Sequence, residues 1–293
     1  MLDDEIQMAF SERDILALGS KNRFMTQLHS TFQNKDYLFF VMEYLDGGDL
    51  MFHLLAEGRF PEDRARFYTA ELVLGLQFLH SNGIIHRDLK LENVMLTSEG
   101  HIKLVDLGIA KDNLKNGART TTFCGTATYI PPEMLNSYPY GASVDWWSLG
   151  ILLYQMMSGR SPFDNDNDEI LFNLIQYRQV VTPSTFSKES QDIIRGLLQK
   201  DTKNRLGCKE DIGEQEIRDH PFFFSINWAD LEQGKVTPPF QPTTGEAEDA
   251  ANFESQFTDQ STALVPLEME GNVRKLADEC FIGFSFYNVN YNG

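Results

Sequence analysis

The chain has 293 residues, 42% of them apolar, enough for a sizeable core in one large domain or two small ones. Its 25 basic and 43 acidic residues leave a net charge of −18, a surface that repels nucleic acid and anionic membrane and attracts basic peptides, although solubility alone accounts for it equally well. Cys124, Cys208 and Cys280 form no C-x-x-C pair, no apolar run nears the ~18 residues of a membrane span, and the acidic start carries no signal peptide, so reduced thiols in a cytoplasmic protein are expected.

Leu2 to Leu18 reads as a helix, with Ile6, Phe10, Ile15 and Leu18 near helical spacing. Leu28 to Phe32 and Tyr37 to Tyr44 read as strands around an Asn34-Lys35-Asp36 turn, and Asp46 to Asp49 is a second break. Pro61 to His80 is an amphipathic helix stopped near Asn82-Gly83. A polar loop spans Lys111 to Thr122. Val144 to Met157 is apolar on most faces, as a buried helix would be. Helices follow around Glu169 to Gln179 and Ser190 to Leu198. From Trp228 onward Pro238, Pro239 and Pro242 lead into an acidic, Thr-rich run that reads as an extended surface tail.

The chemistry concentrates between Ile84 and Gly108. His86-Arg87-Asp88-Leu89 is followed by Asn93, then by Asp106-Leu107-Gly108. The first group fills H-R-D-L-x-x-x-N at every fixed position, which chance supplies about once in ten thousand chains of this length. An Asp on a tight loop can accept a hydroxyl proton. An Asn five residues on and a second Asp on the next turn can converge on Mg²⁺ carried by ATP.

With these motifs the chain resembles the protein kinase fold from end to end, within it the AGC group, and within that protein kinase C. YLFFVMEYLDGGDLMFHL, GLQFLHSNGIIHRDLKLEN, TTFCGT, YGASVDWWSLGILLY, NRLG, HPFF and FIGFSF carry the resemblance by their order and spacing. It implies an α+β, two-lobe fold. Residues 1–44 would be a partial small lobe with a truncated β-sheet, 45–224 the mainly helical large lobe, and 225–293 a tail that wraps back. It implies a serine/threonine-protein kinase using ATP and Mg²⁺ on protein substrates, among them basic Ser/Thr peptides, with an upstream activating kinase and a monomeric state.

Carried over residue by residue, Asp88 would be the catalytic base and Lys90 would steady the transferring phosphoryl group. Asn93 and Asp106 would hold Mg²⁺, and Thr126 would bond Asp88 and Lys90. The backbone from Glu43 to Leu45 would meet adenine, with Met42 guarding the pocket and Met95 flooring it. Asp49 would meet ribose hydroxyls, cap the next helix, or both. Glu12 occupies the place of the Glu that pairs with the ATP-binding Lys. Glu133 with Arg205, and Asp145, match structural ion pairs and ties. Thr122, with Arg87 and Lys111 as basic partners, and Ser285 match phosphosites, and Phe281 and Phe284 would dock on the helix of Glu12.

The chain also departs from this family. It contains no G-x-G-x-x-G and nothing like V-A-I-K before the hinge, so the phosphate-covering loop and the Lys partner of Glu12 are missing. A strand edge near Leu28 to Phe32 or Tyr37 to Val41 should be exposed as a result. Leu107 replaces Phe, Ala127-Thr128 stand for Pro-Asp or Pro-Glu, and Pro131 replaces Ala. Gln155 stands where Arg-selecting relatives carry Glu. Leu264 to Glu268 lacks the usual Ser or Thr. The expectation is a kinase by descent with weak or no transfer from this polypeptide. The alternatives are a catalytically inactive kinase-like binding module and a nucleotide sensor.

Overall fold

The structure is a computed structural model that describes residues 2–114, 118–209, 212–245, 250–264, 280–289 and 291. The first element, α1 (Leu2–Gly19), lies beside a small sheet. In this sheet β1 (Leu28–Gln33) pairs antiparallel with β2 (Leu38–Met42). The turn between them closes on Asn34, whose side-chain oxygen accepts the N–H groups of Asp36 and Tyr37 at 2.9 and 2.8 Å. That is the Asx chemistry the sequence advertises.

The sheet holds a third strand, β5 (Phe286–Tyr287), and its order is β2-β1-β5. The expectation of an open edge is therefore corrected for β1, which is flanked on both sides. Among the described residues the outer edges of this sheet are those of β2, within the expected Tyr37 to Val41, and of the two-residue β5. The extended tail likewise does more than lie on the surface. Phe284 is fully buried, edge-on to Phe40 and Phe10 at 5.4 and 5.8 Å, and Phe281 stacks on Phe10 at 6.1 Å. The side chains of Arg13 and Thr31 hold the Phe284 carbonyl at 3.2 and 2.7 Å. Residues 265–268 of the expected turn site lie outside the described residues.

The large lobe begins with α2 (Leu50–Glu57) and α3 (Glu62–Ser81). A hairpin of β3 (Val94–Leu96) and β4 (Ile102–Leu104), not foreseen as strands, follows the motif loop. Three-residue strands are too short for a period-two pattern to show. After α4 (Pro132–Leu135), α5 (Ser143–Ser158) runs through the centre with every residue from Val144 to Met157 buried. It packs against α3 and α7 (Lys188–Leu197), and α6 (Asp168–Tyr177) packs against α4. Beside α5, Arg205 and Glu133 form a two-pronged pair at 2.5 and 2.8 Å, both buried. The tail crosses this lobe with Phe240 lying 3.6 Å from the Arg64 guanidinium.

Candidate active site

Three supports shape the loop from Ile85 to Asn93. Ile85 exchanges main-chain hydrogen bonds with Lys111, both 2.9 Å. Asp145 of α5, fully buried, accepts from the N–H groups of His86 and Arg87 at 2.9 and 3.0 Å. The same carboxylate meets the His80 ring at 2.8 Å, whose other nitrogen meets Glu214 at 2.5 Å. Burial alone would lower the His80 pKa, but the two carboxylates overcome it and raise it to about 9. Asp145 is held below the usual carboxylate range by His80, against its own burial. The loop thus rests on a buried ion network, and Arg87 takes a left-handed φ of 67° at its apex.

Asp88 stands at the centre of the polar groups. Lys90 Nζ donates to its Oδ2 at 2.7 Å, and Asn93 Nδ2 donates to the same oxygen at 3.1 Å and to the Asp88 carbonyl at 2.9 Å. Its other oxygen, Oδ1, accepts from the N–H and hydroxyl of Thr126 at 3.1 and 2.8 Å. Lys90 also donates to the Thr126 hydroxyl at 3.2 Å. The Thr126 loop comes this close because Gly125 adopts φ +98°. A Cβ there would sit 2.8 Å from the Arg87 carbonyl. So Asp88, Lys90, Asn93 and Thr126, 38 positions apart in sequence, form one hydrogen-bonded unit.

Asp106 joins from the next turn. It has a left-handed φ of 56°, and its neighbour Val105 donates to the Asn93 carbonyl at 3.1 Å. Because Asn93 spends its amide N–H on Asp88, its side-chain oxygen is left to accept a cation. No group of three His, Cys, Asp or Glu converges on a metal among the described residues. Two side-chain oxygens beside a bound polyphosphate are what a Mg²⁺ shared with that phosphate needs, so the donor set fits such an ion. Leu107, where the family carries Phe, is buried in the main core.

Glu12 approaches this turn from α1. A Cβ on Gly108 would lie 3.3 Å from Asp106 Oδ1 and 3.8 Å from both Glu12 carboxylate oxygens. Burial, then the Asp106 charge, raises the Glu12 pKa. No basic side chain lies within 4.0 Å of it among the described residues.

The other expected contacts are more occupied than the sequence suggests. The Glu43 carboxylate accepts from Lys103 Nζ and Gln27 N–H at 2.7 and 2.6 Å, and Glu43 N–H donates to Gln27 at 3.0 Å. The Glu43 carbonyl and the buried Leu45 N–H show no hydrogen-bond partner among the described residues. Asp49 caps α2 through Phe52 N–H at 2.8 Å, and burial raises its pKa. It bridges to Met95 of β3, which places those two together. The tail reaches the same corner, with Asn252 donating to the Asp46 carbonyl at 2.9 Å. Met42 is largely exposed at the open edge of β2. Thr122 is exposed, and its carbonyl accepts from the Tyr140 hydroxyl at 2.6 Å, which Arg87 meets at 3.5 Å. Lys103 and Tyr140 were missed. The one legible hint for Lys103 is a lysine alone inside the apolar run Ile102 to Val105.

Comparison with known proteins agrees with this geometry. The Protein kinase domain family matches residues 2–223 and the Protein kinase C terminal domain family residues 246–286. The chain belongs to the protein kinase family. It is 48% identical over 99% of its length to a Drosophila melanogaster protein, Protein kinase C, and 46% identical over 97% to Protein kinase C epsilon type of Oryctolagus cuniculus. Protein kinase C delta type of Mus musculus is 46% identical over 99%. Within the family it is therefore a protein kinase C-like member of the AGC group. It spans only 39%, 39% and 42% of those three relatives.

Proposed function

We propose that the chain carries a serine/threonine kinase catalytic site, transferring the terminal phosphoryl group of ATP to hydroxyls of protein substrates. The observation that carries this reading is the carboxylate of Asp88. It is fixed by four side-chain and main-chain donors, and its cationic partner among the described residues, Lys90, is itself partly exposed, as a group that must meet an incoming hydroxyl requires.

Asp88 orients the hydroxyl and accepts its proton. Lys90 and Thr126 hold Asp88 in one rotamer, and Lys90 Nζ lies where it can also meet a transferring phosphoryl oxygen. Asn93 and Asp106 would hold Mg²⁺, which when bound with ATP neutralises charge developing on the phosphates. The Glu43 carbonyl and Leu45 N–H offer adenine one acceptor and one donor. Asp49 presents its second carboxylate oxygen to a ribose or to a basic substrate. Acidic Asp49 and exposed Glu92 favour basic peptides, while Gln155, which accepts from the Tyr129 hydroxyl at 2.6 Å, contributes no charge. Phosphorylation of Thr122 by an upstream kinase would put a dianion beside Arg87 and the exposed Lys111.

Among the described residues Glu12 has no lysine partner, and none from α1 and its sheet is placed to anchor the phosphates of a nucleotide. Transfer from the 293-residue polypeptide is accordingly slow. Fluorescent ATP titrations test the nucleotide site. Weak binding should appear only with Mg²⁺ and disappear in Asp106→Asn. Binding that ignores both Mg²⁺ and Asp106 favours the non-catalytic binding module instead.

A further inference from the structure

The large lobe holds a lysine that the phosphoryl-transfer reading does not use. Lys200, just after α7, is partly exposed, and its Nζ lies 4.2 Å from the centre of the Phe163 ring and 4.8 Å from that of Trp147. These two rings are fully buried and stacked, with centroids 5.9 Å apart and planes 5° from parallel. The amine donates to the Ile175 carbonyl of α6. Two further cations share the rings, with Arg205 5.2 Å from the centre of Trp147 and Arg178 5.9 Å from that of Phe163. Glu133 neutralises Arg205, whereas no carboxylate lies within 4.0 Å of Lys200 Nζ or of Arg178 among the described residues. Asp201, the next residue, turns its carboxylate to Lys203 N–H and Asn204 instead.

Three cations over two aromatic faces repel one another, and only the lysine can shed its charge at ordinary pH. An amine desolvated by apolar walls and placed near other cations is the arrangement that makes a lysine nucleophilic. From this geometry we infer that Lys200 is a reactive amine and a site of acylation by activated acyl donors such as thioesters. Burial first, then Arg205 and Arg178, lower its pKa to about 7, so near neutrality much of it is free base. In the step the neutral nitrogen attacks the thioester carbonyl. The C–N bond forms, the C–S bond breaks, the thiolate leaves, and the amine proton goes to solvent. The amide product keeps one N–H for Ile175 and loses the charge that the arginines oppose. Its carbonyl is an acceptor in a neighbourhood that contains a buried donor, Trp147 Nε1, without a partner among the described residues.

The test uses the full 293-residue chain and a small acetyl thioester, with acetyl-lysine mapped by peptide mass spectrometry over time. At pH 7.4 Lys200 should acetylate about tenfold faster than the exposed Lys21, Lys35 and Lys188. Its rate should level off above about pH 8, while theirs climbs on towards their ordinary pKa near 10.4. A Lys200 rate no faster than theirs, or rising in parallel to pH 10, overturns the proposal. Arg178 is exposed but donates to the Pro162 carbonyl at 2.7 Å, so Arg178→Gln is used once its melting temperature is shown to match that of the unmutated chain. It should slow Lys200 at pH 7.4 and not at pH 10. An unchanged rate at pH 7.4 would show that the neighbouring cations do not set the reactivity.

Discussion

Asp88 accepts four hydrogen bonds through its carboxylate, and under the proposed function removing any donor frees a rotamer that the reaction cannot use. Lys90→Met should lower the transfer rate on the order of 100-fold with nucleotide affinity unchanged, as initial velocities and fluorescent ATP binding would show. Equal losses in rate and affinity would place Lys90 on the nucleotide instead. Elsewhere, Arg205→Met leaves Glu133 buried without its charge partner and should cost about 3–5 kcal/mol in urea denaturation. Most of this site was legible because its residues fall within a short stretch, Asp88 to Asp106. Thr126 was legible only through Cys124-Gly125 before it. Lys103 and Tyr140 were not, since a cation under Glu43 and a hydroxyl on the Thr122 carbonyl depend on contacts 60 and 18 positions away.

Among the elements, α1 and the tail depend on each other. Phe10 of α1 faces Phe281 and Phe284, and β5 closes one edge of β1. Burying Phe284 contributes about 1.5–3 kcal/mol, enough to seat a loosely tethered tail. Truncation after Leu276 should therefore lower the melting temperature and open β1 to proteolysis. An unchanged melting temperature would mean that this docking stabilises nothing. Ser285 is exposed between the buried Phe284 and β5, so a kinase can reach it without undocking the tail. The long helices were readable from apolar periodicity, and α5 spans Ser143–Ser158 where Val144 to Met157 was expected. The strand β5 was not readable. Two residues carry no pattern, and what makes them a strand is the edge of β1, some 250 positions earlier in the chain.

At the scale of the whole molecule, the network of His80, Asp145 and Glu214 links the catalytic loop to stability. An unfolded histidine releases its proton near pH 6.5, whereas His80 in the fold keeps it to about 9. The protonated form favours the fold. Its contribution is complete below pH 6.5 and is lost as pH rises through about 9, on the order of 3 kcal/mol over that window. Calorimetry between pH 6 and 9.5 should show this decline, and His80→Gln should flatten it.

In the whole molecule a completely hydrogen-bonded Asp88 loop lies beside a Glu12 that has no lysine within 4.0 Å among the described residues. Radiolabelled ATP and Mg²⁺, offered with a basic Ser/Thr peptide to the 293-residue polypeptide and to its Asp88→Asn variant, test this most directly. We predict slow transfer by the first, far below the 1–100 s⁻¹ that is typical of kinases, and none by the second. Transfer at the typical rate, abolished in Asp88→Asn, would contradict the importance given to the missing lysine. Equal transfer by both would contradict the role of Asp88 itself.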